Sequence, residues 1–277
     1  MTKLNLLPDA LGFNSLILGA PGAGKTSVIP TLAKAGLEVF VAFTEQGVGN
    51  LKKAMALHNL SEEEKSRIHY AYIKPGRGSF AKMAKGATEI NRATEFGKMS
   101  SGNRKDHSQF IDLLNLCSNY VDQHGEEFGS IDEWDANRVL VVDGMSGLND
   151  MCMSLVVGDK PVKTLQDWGV AIDQLDKFVK QCCNLLCGFV LLSHMEQEKD
   201  EVTGRMIVTA STLGRKLGSS IGRHFQDVIL ASKGKGKYQW ATDDSRIELK
   251  HSYLKESAAL PATFEPLIES WAKEYSA

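Results

Sequence analysis

The sequence predicts an α/β fold, in which a mostly parallel sheet carries helices on both faces and ends in an antiparallel extension near the C-terminus. Three observations predict it. Short apolar runs of strand length alternate with stretches of helical periodicity, the pattern of parallel strands joined by crossover helices. Two of the runs, Val139-Leu140-Val141-Val142 and Phe189-Val190-Leu191-Leu192, are apolar at every position, as a strand covered on both faces must be. The last runs are brief and separated by turns rich in Gly, Lys and Asp, which suits strands joined by short hairpins.

In chain order, Ser15 to Leu18 reads as the first strand and Thr26 to Ala35 as the helix after it. Val39 to Phe43 is a second strand and Val48 to Leu57 an amphipathic helix. Ser61 with Glu64 forms a capping box that opens a short helical turn before the strand Ile68 to Ile73. Gly76 to Asn103, with five glycines and many cations, is expected to be a mobile insertion. Helices follow at Phe110 to Tyr120 and Leu165 to Leu186, each ahead of one of the two fully apolar strands. Val228 to Ala231, Tyr238 to Ala241 and Ile247 to Leu249 are the strands of the C-terminal extension. The expected organisation is a single domain over residues 1–277, with 74–136 as a basic and acidic insertion.

At 277 residues, 43% hydrophobic and 24% charged, the chain can bury a full core and does not have the composition of a disordered protein. No apolar run approaches the roughly 20 residues that span a bilayer. Met1 to Asp9 lacks the long apolar stretch of a secretory signal, so a soluble, cytoplasmic protein without membrane partners is expected. The five cysteines, Cys117, Cys152, Cys182, Cys183 and Cys187, have no C-x-x-C spacing and no nearby histidine cluster. They read as reduced, mostly buried thiols rather than a zinc site or a disulfide framework.

A formal net charge of −2 conceals strong segregation. From Lys74 to Lys105, eight basic residues face only Glu89 and Glu95, a local balance of +6. From Asp122 to Asp135 there are six acidic residues and no Lys or Arg, which reads as an exposed connector facing a basic surface of a neighbouring copy.

The segment Gly19-Ala20-Pro21-Gly22-Ala23-Gly24-Lys25-Thr26 fits G-x-x-x-x-G-K-[ST], between a strand and a helix. Backbone N–H groups can surround a polyphosphate only where side chains do not block the approach. Gly19, Gly22 and Gly24 remove that obstruction and make the loop an anion nest, which Ser27 completes on the C-terminal side. The helix that follows directs its free N–H groups at the same phosphates. Lys25 supplies a full charge at the β- and γ-phosphates, and Thr26 a hydroxyl for Mg²⁺. These residues predict binding of a nucleoside triphosphate, ATP with Mg²⁺.

Polar side chains at other strand ends point to hydrolysis. The strand Val139 to Val142 ends in Asp143, a carboxylate placed to hold Mg²⁺ beside Thr26. Gly144 follows where an adjacent catalytic acid is often found, so the base must come from elsewhere. Glu45 is the candidate: Val39 to Ala42 is expected to lie near the phosphate-loop strand, and a carboxylate at its end can orient a water in line with the γ-phosphate. A turn or helix-capping acid is the alternative. Ser193-His194 closes the next core strand, where His194 reads as a polar sensor of the γ-phosphate or as a plain structural histidine.

Taken in order, Gly19 to Thr26, Phe43-Thr44-Glu45, Val139 to Asp143, Leu192-Ser193-His194 with the Glu-rich Met195 to Gly204, and Gly214-Arg215-Lys216-Leu217-Gly218 resemble the RecA-like ATPases. Within them the chain is similar to the short phage-encoded Sak-type single-strand annealing ATPases, the Sak-four group, from about Leu16 to Leu249. The resemblance implies ATP-dependent binding of single-stranded DNA, with annealing or strand exchange in phage recombination and a location in the host cytoplasm. It also implies a homo-oligomer, ring or filament, and a single-strand-binding protein as a further partner. RecA-like proteins hydrolyse ATP between subunits with a cation donated by the neighbour, and Lys233, Lys235 and Lys237 on a glycine-spaced turn are the candidates for that role. A solvated hairpin tip is the alternative.

For DNA, the stretch from Gly204 to Gln226 holds Arg205, Arg215, Lys216 and Arg223 without an acidic residue, and Lys74 to Lys105 is a second basic tract. Phe80, Phe96, Phe110 and Phe225 are candidates for base stacking, or else core residues. Two other functions use the same fold: a nucleotide-operated switch or assembly ATPase acting on a protein partner, and a small-molecule kinase.

Overall fold

The computed structural model describes residues 4–74, 79–95, 104–199, 204, 206–234 and 236–276, with the side chains of residues 82, 104, 105, 198, 215 and 216 left undescribed. Five strands form a parallel core: β1 (Asn14–Gly19), β2 (Glu38–Phe43), β3 (Ile68–Tyr72), β4 (Arg138–Asp143) and β5 (Gly188–Ser193). β6 (Met195–Lys199) and β7 (Met206–Ala210) pair only with each other, as a separate antiparallel hairpin. β8 (Asp227–Gly234) lies parallel to β1, and antiparallel pairing begins beyond it with β9 (Lys237–Ala241), β10 (Lys250–His251) and β11 (Leu260–Pro261). The order across the large sheet is β11-β9-β8-β1-β5-β4-β2-β3, with β10 pairing on β8.

This order corrects one expectation. The strand ending at Phe43 does not adjoin the phosphate-loop strand, because β5 and β4 stand between β1 and β2. Spacing along the chain tells which end of a strand a side chain leaves, but not which strands become neighbours.

Alternation along each strand separates the two cores. Leu16, Phe40, Leu140, Val142, Phe189 and Leu191 face one side, where α5 (Gln109–Ser118), α6 (Met145–Val157) and α7 (Leu165–Cys183) cover them. Ile17, Val39, Val41, Val139, Val141 and Val190 face the other, under α1 (Pro30–Lys34), α2 (Val48–Leu57) and the C-terminal helix Glu265–Glu274. Each buried side chain of this kind removes about 1.5–3 kcal/mol of apolar surface from water, so a one-residue slip of any central strand would expose a whole face.

The helices begin and end for local reasons. Ser61 and Glu64 cap α3 (Glu62–Ser66) reciprocally, as the sequence predicts, and Thr164 with Asp167 does the same for α7. The helix after the phosphate loop is shorter than Thr26 to Ala35. Residues Thr26–Val28 form a 3₁₀ turn, and α1 starts only at Pro30, whose missing N–H cannot bond back to Thr26.

Other elements also depart from the expectations. Ile247 to Leu249 is not a strand, and the pairing falls instead on Lys250–His251 against β8. Met195 to Lys199, within the Glu-rich stretch that carries no strand periodicity, is β6. The insertion expected between Lys74 and residue 136 separates β3 from β4, and its described part carries α4 (Phe80–Arg92), α5 and two 3₁₀ turns. Of the segment expected to be mobile, residues 76–78 and 96–103 lie outside the described residues. The acidic connector is not uniformly exposed. Glu126, Glu127, Asp132, Glu133 and Asp135 face solvent, but Asp122 is buried against His69 on β3, Oδ2 to Nδ1 3.0 Å. His69 also lies 3.7 Å from Glu38, whose second oxygen accepts from Arg138 Nε at 2.8 Å.

Among the described residues no helix is long and apolar enough to cross a membrane. All five cysteines are free, three buried and two half-buried.

Candidate functional site

The carboxyl ends of β1, β5, β4 and β2 stand side by side in that order, and each delivers one predicted residue to the same edge. β1 ends at Gly19 and opens the loop to Lys25; β5 is followed by His194; β4 ends in Asp143; β2 is followed by Thr44 and Glu45. A cavity of about 460 Å³ lies over them, lined by Gly22, Lys25, Thr26, Glu45, Asp143 and His194 among others.

Lys25 lies folded onto its own loop. Its Nζ donates to Gly19 O at 2.7 Å and to Ala20 O at 3.1 Å. It also sits 3.2 Å from His194 Nδ1. An ammonium has only donors, so Nδ1 accepts and the imidazole proton resides on Nε2. Burial holds the Lys25 pKa below its ordinary value, opposed by the charges of Asp143 and Glu45. An incoming polyanion would meet a cation already desolvated and held by neutral carbonyls, which it can displace.

Thr26 Oγ1 donates to Asp143 Oδ2 at 2.8 Å. Burial pushes the Asp143 carboxyl up to about 6, against the pull of the Thr26 hydrogen bond, with Glu45 adding to the rise and Lys25 countering it. A half-buried carboxylate beside a hydroxyl is a set of hard oxygen donors, which suits Mg²⁺ and suits thiophilic metals poorly. Thr26 and Asp143 would hold the ion, and its charge would neutralise phosphate oxygens there.

Glu45 reaches this group because β2 adjoins β4. Thr44 N donates to Asp143 O at 3.1 Å, and Thr44 Oγ1 bonds the carbonyls of both Asp143 and Gly144, stitching the ends of the two strands together. The next residue then points back over Asp143. Glu45 Oε1 accepts the backbone N–H of Gly147 at 2.8 Å, in the first turn of α6. So the helix-capping role left open by the sequence is real, and it also fixes the carboxylate beside Lys25 and Asp143. Oε2 has no protein partner among the described residues.

The other predicted loop residues divide by position. Pro21, Gly22, Gly24 and Ser27 line the cavity, Gly19 and Ala20 supply the carbonyls that hold Lys25, and Ala23 is buried beneath. Reasoning from sequence missed Asn50 and Lys53, three apart on the α2 helix just after Glu45, and Tyr238 at the start of β9. The helical spacing after Glu45 was the available signal for the first two. Tyr238 stands between Lys237 and Gln239 in sequence, and nothing local marks it.

Lys233 and Lys237 are exposed on the β8–β9 hairpin, and Lys235 lies outside the described residues. Lys233 Nζ lies 5.5 Å from the ring centre of Tyr238 in its own chain. Among the DNA candidates, Arg205 lies outside the described residues and the side chains of Arg215 and Lys216 are undescribed. Arg223 is exposed in the turn before β8, and so at the sheet edge opposite the cavity. Two stacking candidates are core residues. Phe110 packs on Phe178 and Phe225 on Phe189, both rings almost fully buried, while Phe80 is exposed and Phe96 is outside the described residues.

No family model matches the chain, and no curated protein does. Among solved structures it is similar to a RadB recombinase, over 91% of this chain and 86% of that one, at 14% identity and a TM-score of 0.42. It is also similar to an ATPase from the type III secretion system of pathogenic bacteria, over 82% of this chain, at 12% identity and a TM-score of 0.41. The match spans about half of that ATPase, 54% of its length. Likenesses this loose leave the argument to the sheet order and the site. Together these define an α/β protein with a phosphate-loop cavity at the carboxyl edge of its parallel strands.

Proposed function

We propose that the protein is a RecA-like ATPase that hydrolyses ATP with Mg²⁺ and acts on single-stranded DNA as a recombinase or annealing protein of the Sak type. The observation that carries the ATPase reading is the convergence of Lys25, Thr26, Glu45, Asp143 and His194, from four strand ends, on one cavity. In this reading Lys25 leaves its loop carbonyls for the β- and γ-phosphates. Glu45 takes the proton of the attacking water through Oε2 as the bond from γ-phosphorus to the bridging oxygen breaks. His194 meets the γ-phosphate through Nε2–H. Fixed donors aimed at developing charge lower the barrier without reorganising at the moment of reaction.

The DNA reading is supported by the segregated cations, of which Arg205, Arg215, Lys216 and Arg223 are the first to test. Hydrolysis in an assembly of copies would draw one of Lys233, Lys235 and Lys237 into a neighbour's site.

The test is ATP turnover of the purified protein with and without single-stranded DNA, across salt concentrations, beside Lys25→Ala. The expected outcome is stimulation by DNA that falls with salt at a slope near −0.7 per phosphate neutralised, and loss of nucleotide binding in the variant. Turnover indifferent to DNA at low salt would transfer the reading to an ATPase acting on a protein partner. A wild-type protein that binds no ATP would refute both.

A further inference from the structure

Tyr238 is a half-buried aromatic side chain in the cavity wall, and hydrolysis as described above gives it no task. Among the described residues that line the cavity it is the one Phe, Tyr or Trp. Because β9 runs antiparallel to β8, its first residues stand at the edge of the sheet where the phosphate loop begins. Trp240, two residues on and therefore on the same face, is buried against Phe264. At Tyr238 that cover has ended, and the ring lies against the loop itself. A Cβ added at Gly24 would fall 2.5 Å from Cδ1 and 2.6 Å from Cγ of Tyr238, so this loop position must be glycine both for its φ of +87° and for the ring.

The triphosphate chain has two ends. One must reach Asp143, Glu45 and His194 if the terminal phosphate is to be cleaved. The other carries the nucleoside and has to leave the loop on its other flank, the flank toward β8 and β9. An aromatic ring there, with Lys233 exposed and only 5.5 Å from its centre, is the chemistry that receives a flat heteroaromatic base.

We propose that Tyr238 is the base-contacting residue of the site: its ring meets the nucleobase by stacking, with Lys233 as a displaceable cation over the ring. The inference rests on the nucleotide-binding reading and deepens it. It makes the ligand an aromatic nucleoside triphosphate and not merely a polyphosphate.

Affinities for ATP and for inorganic tripolyphosphate, each with Mg²⁺, separate the two contributions by calorimetry on wild type, Tyr238→Phe, Tyr238→Leu and Tyr238→Ala. Stacking predicts that the Leu and Ala variants lose about 5- to 150-fold in ATP affinity while tripolyphosphate binding stays within about twofold, and that Phe behaves as wild type. Leu keeps bulk against Gly24, so it stands in for Ala if Ala perturbs the fold. Equal losses for both ligands would mean that Tyr238 only props the loop, and would overturn the proposal. A Leu variant with wild-type ATP affinity would also overturn it, since any apolar wall would then serve. Wild type binding tripolyphosphate and ATP equally well refutes the base contact alone, whereas wild type binding neither refutes the nucleotide reading beneath it.

Discussion

Glu45→Gln separates the helix cap seen in the structure from the catalytic role proposed for the same side chain. Glu45 Oε1 accepts the N–H of Gly147, the third residue of α6, and so satisfies a donor that the helix start leaves unpaired. Replacing Glu45 with Ala removes this acceptor and the proposed catalytic carboxylate together. The lost cap alone costs about 0.5–2 kcal/mol of stability, so reduced turnover in the Ala variant would have two explanations. Glutamine keeps a carbonyl oxygen for Gly147 and removes only the ability to take a proton. Stability of the Gln variant should therefore match wild type, while turnover falls by about 10²–10⁴. That loss corresponds to about 2.7–5.5 kcal/mol of barrier. ATP affinity should hold or rise slightly, because one negative charge beside Lys25 and Asp143 has gone. Phosphate release under saturating ATP, nucleotide titration and thermal unfolding, run on wild type and both variants, read the three quantities. Turnover of Glu45→Gln within about threefold of wild type would show that the carboxylate is a helix cap and nothing more.

Gly147→Ala should destabilise, although Gly to Ala inside a helix ordinarily gains about 0.8–1 kcal/mol. The new Cβ would lie 2.4 Å from Thr44 O and 2.9 Å from Glu45 Cγ, so a raised melting temperature would contradict the packing described. The cluster of His69, Glu38 and Asp122 sets a pH window. Burial opposes the charge on His69, but the Glu38 carboxylate beside it and its hydrogen bond to Asp122 prevail and raise its pKa above 6.5; that contribution is whole below 6.5 and is lost as pH rises through the folded value. The Glu38 carboxyl is lowered from 4.5, first by His69, whose Nε2 lies 3.7 Å away. Asp122 is lowered from 3.8, where bonds from His69 and two backbone N–H groups outweigh burial, so both carboxylates contribute above those values and fail as pH falls through their folded ones. The urea midpoint of wild type should accordingly exceed that of His69→Gln by more at pH about 5.5 than at about 8.5, and equal gaps would refute the linkage. Burial pushes the thiols of Cys117, Cys152, Cys183 and Cys187 up to about 12, and that of Cys182 well above its ordinary value. A disulfide reagent at neutral pH should label the native protein slowly and all five thiols after unfolding; fast labelling of any one in the native state would contradict its placement.

The placement of the site's side chains was legible where it depended on strand ends, and illegible where it depended on which strands meet. An apolar run followed by a polar residue states which end of the strand bears a functional group, which is why Asp143, Glu45 and His194 were recoverable. Local sequence carries nothing about neighbours, so the two strands between β1 and β2 were not. α6 was missed because Met145, Gly147, Leu148, Met151, Cys152 and Met153 are all buried, and a helix buried on several sides has no polar face to generate a period. β6 was missed for the opposite reason. Glu196, Gln197, Glu198 and Lys199 are polar without alternation, and a strand outside the main sheet need not bury one face.

Asp122 shows the same limit in electrostatics. Within six acidic residues nothing marks the one that turns inward, because its partner His69 lies 53 positions away on β3. Glu45 is the case where both kinds of information meet. Its position is written locally, at the end of Val39 to Phe43, but the role proposed for it depends on Thr44 bonding the end of β4 and on Gly147 leaving room for its side chain. A carboxylate proposed to act on a phosphate held at the end of β1, with β5 and β4 in between, requires a rigid bridge. Here that bridge is built from a threonine hydroxyl, two carbonyls and a missing methyl group, none of which a motif would record.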